Sequence, residues 1–206
     1  YADGRGVRRD SKLAMTWWAR AGEQDHARAL HNLALMHIGG IYGEQDYPRA
    51  IGFLERASDG GFPNSQYTLG KMYHYGLGVA KNFEAAAGYF TSAAEQGFAK
   101  AAYNLGKAHR DGHGVPANDA DAAHWFRVAA EGGSGKAQRH LARRLASGTG
   151  VERDDEEALM WATVAAAQNV TDAQALQELL RTRLGSNQIQ RAEERARVFR
   201  DKRIQP

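Results

Sequence analysis

Between Ala101 and Arg110, small, apolar and ring-bearing residues stand at Ala101, Leu105, Gly106 and His109, close to the i, i+4, i+8 rhythm of one helical face. The pattern predicts a first helix, here called A. The element Gly112-His113-Gly114-Val115 then interrupts it. Its glycines are expected at positive φ, where they stop helix A and let Val115 turn back toward the core. Three residues later Asn118, a good N-cap, opens a second helix, B. One copy earlier, helix B carries the stripe Ala86, Tyr89, Phe90, Ala93 and Ala94.

This A–loop–B unit recurs at a constant step of 36 residues. Gly4, Gly40, Gly76, Gly112 and Gly148 keep the step, as do Ala14, Ala50, Ala86, Ala122 and Ala158. An aromatic column runs through Trp17, Phe53, Tyr89, Trp125 and Trp161, and Leu33, Leu69, Leu105 and Leu141 form another. Unbroken columns of this kind read as an all-α helical solenoid. The small column Ala34, Gly70, Gly106 and Ala142 is expected to admit a close backbone approach, and Asp10, Asn82, Asn118 and Asp154 to cap B helices. Trp17 and Trp18 are expected to pack the first B helix. The second copy replaces the usual second Gly and Val with Tyr42 and Gly43, so its loop is expected to differ in shape. Pro48 is tolerated early in the helix that follows.

The motif LGxxYxxGxGVxxDxxxAxxWxxxAAxxG at this period, carried by Leu69, Gly70, Tyr73, Gly76, Gly78, Val79, Asn82, Ala86, Tyr89, Ala93, Ala94 and Gly97, resembles the Sel1-like repeat. That repeat is a relative of the tetratricopeptide repeat, whose period is 34. The resemblance covers residues 1–185. It implies a right-handed α-solenoid of antiparallel helix pairs used as an interaction scaffold, bacterial in type, and no reaction. The expected organisation is one domain, with repeats over 1–185 and a capping helix and tail over 186–206. In that tail Ile189, Ala192, Ala196 and Phe199 form a stripe, Ser186 is placed to cap, and the segment resembles the closing helix of bacterial Sel1-like proteins. Tyr1 aligns with Tyr73, so the chain is expected to start inside a repeat, either trimmed from a longer protein or shortened with a leader.

Composition narrows this picture. The 206 residues contain no cysteine, so no disulfide staples the repeats. No run approaches the ~20 apolar residues of a membrane span. The net charge of +3 resides in residues 187–206, where bases alternate with acids, a pattern that reads as a solvated face and not as a nucleic-acid site. No catalytic or nucleotide-binding motif is present, and His37 and His109 occupy the packed column of Tyr73, so no cofactor and no metal are expected.

Two polar patterns remain. Glu23, Asp59, Glu95 and Glu131 end B helices, and Arg28, Lys100 and Lys136 follow five residues after three of them, which predicts ion pairs across the turn. Lys71, Lys107 and Arg143 have no acid in register. They share a helix-A face with Asn32, Thr68, Asn104 and His140 and with Tyr75 and Asp111. The resemblance implies that this face lines the concave groove, making these nine residues the candidate partner-binding set, with a protein or peptide partner whose anionic groups suit the bases. Two readings stand: a binding row, or a solvated helix face. The function expected is a non-catalytic scaffold or regulator in a periplasmic or otherwise exported setting. The alternatives are a cell-envelope polysaccharide or peptidoglycan enzyme, or an accessory lobe of one, and a cytoplasmic setting.

Overall fold

The computed structural model describes residues 10–41 and 43–204. The expected remnant of a helix A before Asp10, with its Gly4–Val7 loop, and Tyr42 lie outside the described residues. Among the described residues the chain is helical throughout and has no strand. It divides into two compact units, residues 1–96 and 97–206.

The first unit contains α1 (Ser11–Glu23), α2 (Ala27–Gly39), α3 (Tyr47–Asp59), α4 (Pro63–Tyr75) and α5 (Phe83–Glu95). Helix α2 packs on α3 and α4 on α5, each couple being one A–B pair. Its core joins Ala34, Ala50, Ile51, Leu54, Leu69 and Met72, with Val79 and Tyr89 packed against them. Val79 therefore does turn inward from its loop. The second unit contains α6 (Ala99–Asp111), α7 (Asp119–Glu131), α8 (Gly135–Ser147), α9 (Asp155–Ala166), α10 (Ala173–Arg181) and α11 (Ser186–Ile204). Here α6 packs on α7, α8 on α9, and both α10 and α11 against α9. Leu105, Phe126, Leu141, Leu145, Leu159 and Leu180 are among its fully buried large side chains.

Within each pair the size of one residue is matched to the residue facing it. A Cβ added to Gly70 would lie 2.6 Å from Phe90, and one added to Gly106 would lie 2.9 Å from Phe126. At the repeat-equivalent positions the couples are Ala34 with Leu54 and Ala142 with Ala162, all fully buried. Glycine stands where the facing residue is phenylalanine, and alanine where it is smaller. The choice follows from the volume available in a close-packed interior.

The A-to-B loops repeat in atomic detail. Gly76, Gly112 and Gly148 end their A helices at φ +73, +69 and +71, and Gly78, Gly114 and Gly150 follow at +72, +78 and +70. The N–H groups of Asn82, Asn118 and Asp154 then donate to the carbonyls of Tyr73, His109 and Leu145 at 2.9, 2.9 and 3.0 Å. Their side chains accept from the first turn of the helix they open. The α2–α3 loop differs internally, with Gly43 at φ +155. It closes the same way nonetheless: the Asp46 N–H donates to the His37 carbonyl at 3.0 Å, and the Asp46 carboxylate accepts from the Arg49 N–H at 3.0 Å.

Three expectations need correcting. Trp17 is 51% exposed and does not pack α1. Its column partners Phe53 and Tyr89 are covered by stacking at 5.7 Å on His37 and Tyr73, whereas the residue in register with those two for Trp17 is Tyr1, outside the described residues. Ser186 lies inside the first turn of α11. The cap there is Gln188, whose Oε1 accepts from the Gly185 N–H at 3.1 Å. The turn acids also do not pair as expected: no ion pair joins Glu23 to Arg28, Glu95 to Lys100 or Glu131 to Lys136, and all six side chains are exposed. Such solvated pairs gain little over water. Some guanidinium groups reach instead into the neighbouring helix pair, Arg56 to Asp25 in the first unit and Arg127 to Glu157 in the second.

Helix α11 closes the second unit. Ala192 and Ala196 are fully buried, and Phe199 meets Trp161 edge-on at 5.0 Å. Arg203 donates to the carbonyls of Glu131 and Gly132 at 2.7 and 3.0 Å, satisfying acceptors left open at the end of α7.

Candidate partner-binding surface

Because the inner face of each A helix is used for packing, its outer residues are free to vary. On α4, Thr68 is half-buried and its hydroxyl donates to the Asn64 carbonyl at 2.8 Å. Lys71 is exposed, with Nζ 5.9 Å from the ring centre of Tyr67. Tyr75 is 60% exposed and meets His74 edge-on at 4.7 Å. On α2 the candidate Asn32 is half-buried.

Helix α6 repeats the arrangement. Lys107 Nζ lies 5.9 Å from the ring centre of Tyr103, and the Asn104 amide donates to the Lys100 carbonyl at 3.0 Å. Asp111 is gripped by Arg110 through two bonds, Nε to Oδ1 at 2.7 Å and Nη2 to Oδ2 at 2.8 Å. The Arg110 hydrogen bond holds the Asp111 carboxyl below the usual carboxylate range. A carboxylate so held is a poor proton donor, so the one acid of the candidate set does not have the character of a glycosidase general acid.

On α8 the picture changes. His140 stacks on Phe126 at 4.8 Å, nearly parallel, and lies 5.9 Å from Tyr103. Burial, and after it the charges of Arg139, Arg110, Arg143 and Arg144, push its imidazole down to about 4, so it is neutral at pH 7. Arg143 is exposed but is not without an acid: its Nη2 lies 3.6 Å from Asp172 Oδ2. Arg139, one turn earlier, donates to the same oxygen at 3.3 Å. The acid was missed because Asp172 stands in the column where earlier copies have Lys100 and Lys136, and α10 departs from the repeat pattern there.

The structure thus keeps Thr68, Lys71 and Tyr75 on one helix of the first unit, and Asn104, Lys107, Asp111, His140 and Arg143 on two helices of the second. Sequence reasoning missed the supporting residues. Tyr67, Tyr103 and Arg139 stand one turn before Lys71, Lys107 and Arg143 and form their own 36-residue column with His31, which was the available signal.

A groove of about 920 Å³ at the start of α9 offers a second place to look for chemistry. Among the described residues most of its charges are matched within the chain, Glu152 and Arg195 of its lining excepted. Asp155 holds Arg153 and Arg183, Glu156 holds Arg191 outside the groove lining, and Glu157 holds Arg127 while accepting from the Trp161 indole. Among the described residues no cluster of three or more His, Asp or Glu side chains is arranged to hold a metal ion, and no helix is long and apolar enough to cross a membrane.

Paired helices, a shared loop closure and a variable outer row of tyrosine, lysine and arginine on the A helices define a helical-repeat protein. Consistent with that class, the model of the Sel1 repeat matches five consecutive segments, residues 1–26, 27–62, 63–98, 99–134 and 135–170, and the chain belongs to the Sel1 repeat family. The repeats of this family generally build protein–protein interaction scaffolds. Among solved structures, the chain is similar to a Sel1 repeat protein from Oxalobacter formigenes, at 28% identity and a TM-score of 0.80, over 96% of this chain and 83% of the other. It is also similar to c5321, a protective antigen of uropathogenic Escherichia coli strains with an SLR fold, at 27% identity and a TM-score of 0.57; the match spans 96% of this chain and half of that protein. No curated protein matches the sequence significantly.

Proposed function

We propose that this chain is a non-catalytic scaffold that holds a peptide or loop of a partner protein on the outer faces of its A helices, with anionic groups of the partner against Lys71, Lys107 and Arg143. The observation that carries this reading is the recurrence of one arrangement, a lysine ammonium 5.9 Å from a tyrosine ring, at equivalent positions of α4 and α6. A tyrosine beside a cation combines apolar contact area with a polar tip and a charge, the mixture that binding hot spots favour. Hydroxyl and amide groups at Thr68 and Asn104 are available to an extended backbone lying on the same faces. The setting we propose is periplasmic or otherwise exported, which fractionation of the source cells tests directly.

The binding test is charge reversal. Replacing Lys71, Lys107 and Arg143 together by glutamate is expected to abolish capture of the native partner while leaving the thermal melt nearly unchanged. Replacing Lys100 and Lys136 by glutamate serves as the control and is expected to leave capture intact. Wild-type affinity of the triple variant at low salt would overturn the reading.

A further inference from the structure

Asp172 occupies the N-cap position of α10, yet it does not cap. Asp10, Asp46, Asn82, Asn118 and Asp154 each open their helix at φ between −127 and −149 and accept a first-turn N–H. Asp172 sits instead at φ +63 and makes no side-chain cap bond. Left-handed backbone is uncommon for any residue with a side chain, whereas a start without a side-chain cap is shared with the A helices α2, α4 and α6. The Asp172 carboxylate is turned toward α8, where one oxygen, Oδ2, serves Arg139 at 3.3 Å and Arg143 at 3.6 Å.

The site holding that carboxylate is under-filled. Two guanidinium groups carry ten N–H donors between them and face a single carboxylate oxygen, one bonded to it at 3.3 Å and the other only ion-paired at 3.6 Å, with one further contact from Arg139 Nη2 to His140 Nε2 at 3.4 Å. Arg139 is only 19% exposed in its side chain, and its buried Nε has no partner. The charges nearby do not complete the balance. Arg110 is matched by Asp111, Arg144 by Asp119, and His140 is neutral. The Asp172 side chain itself is 54% exposed, so it can leave for water.

We infer that Arg139 and Arg143 form a carboxylate-binding site, that Asp172 fills it in the free protein, and that an acidic segment of the partner displaces Asp172 on binding. This rests on the scaffold reading and adds to it an internal competitor. A carboxylate-rich peptide fits better than a neutral one because two cations share one monovalent acid, leaving an uncompensated positive charge and unused donors.

The test uses the full chain and a fluorescein-labelled hexaglutamate peptide, with anisotropy read at low salt. Asp172→Asn is expected to tighten binding about two- to five-fold, the range set by removing an exposed ion-pair competitor. Arg139→Gln with Arg143→Gln is expected to weaken it, and in that background Asp172→Asn is expected to have no effect. Glu152→Gln, which removes the same charge from an exposed position elsewhere, is expected to leave affinity unchanged. Unchanged or weaker binding by Asp172→Asn overturns the inference, as does an equal gain from Glu152→Gln or from Asp172→Asn in the arginine-free background. If reversing Lys71 and Lys107 abolishes capture of the native partner while Asp172→Asn changes neither capture nor peptide binding, the scaffold stands and the internal competitor falls.

Discussion

The same helix-A columns are used for packing at their first copy, on α2 of the first unit, and for charge at their last, on α8 of the second. At that first copy His31 is buried, its Nδ1 3.0 Å from the Ser65 hydroxyl and its ring 5.4 Å from Phe62; four residues on, Leu35 is 43% exposed. In the second unit the last copies of these positions are Arg139 and Arg143. An apolar, internally bonded face and a doubly cationic one are thus carried by the same backbone. The repeat constrains the residues that face within the helix pair and accepts different chemistry in these columns from one copy to the next.

The sharpest contrast between the units that mutation can expose lies in their loops. A Cβ on Gly150 would stand 2.0 Å from the Asp119 carbonyl oxygen, and one on Gly78 would stand 2.2 Å from Tyr47 Cβ. Both glycines also sit at positive φ. The Cβ on Gly150 would meet three backbone atoms within 2.8 Å, and that on Gly78 two atoms of Tyr47 within that distance, the nearer held by its own backbone, so Gly150→Ala is expected to destabilise by about 3 kcal/mol or more and Gly78→Ala by somewhat less. Chemical denaturation of both variants checks the order, and equal losses would mean that the two loops yield alike.

Next comes the small-to-large partnership. Gly106→Ala is expected to cost about 1–3 kcal/mol through its contact with Phe126, and the double variant with Phe126→Leu should recover part of that loss, copying the Ala34 and Leu54 couple of the first unit. Strictly additive losses in a double-mutant cycle would show that the pair is not coupled.

The acid response is smaller. His140 is held near 4 in the fold and titrates near 6.5 when unfolded, so the unfolded chain binds the extra proton first. Its stabilising contribution is complete above about pH 6.5 and is lost as pH falls toward 4, by about 1–2 kcal/mol once discounted for partial exposure. Burial lowers His31 in the first unit too, so its contribution has the same sign. Thermal melts between pH 7 and 4 should show a shallower decline for His140→Gln than for wild type.

Smallest of all, Lys71→Gln and Lys107→Gln are each expected to change stability by no more than about 0.5 kcal/mol, since exposed cation–π contacts contribute little. Equal effects at the two sites would mark the arrangement as one motif in both units.

The elements legible in sequence were those whose backbone admits few residue types. Positive φ at Gly78 and Gly114, the capping side chains of Asn82 and Asn118, and the narrow gap at Gly70 and Gly106 each restrict chemistry locally, so the repeat displays them as columns. Asp46 belongs to the same capping column and was overlooked because its loop lacks the Val that marks the others. The ion pairs were illegible for the opposite reason. Long arginine side chains reach partners about thirty residues away in neighbouring pairs, as Arg127 does to Glu157, and no local rule fixes that choice. For the candidate site, the row of Lys71, Lys107 and Arg143 could be named from its spacing, but the aromatic support beneath the lysines and the acid across from Arg143 needed three dimensions.

The packing of Gly70 on Phe90 and of Gly106 on Phe126 has a consequence for how such a chain can change length. Each of these couples spans 20 residues and closes inside one helix pair. A segment of 36 residues copied or excised in register therefore carries its own steric solution to the new junction, and neither the small residue nor the large one has to be reinvented. Bonds that cross between pairs, such as Arg56 to Asp25, are severed or mismatched by the same event. Gene-level duplication would thus preserve the core of every module and place its burden on surface charge, which is more easily reassigned.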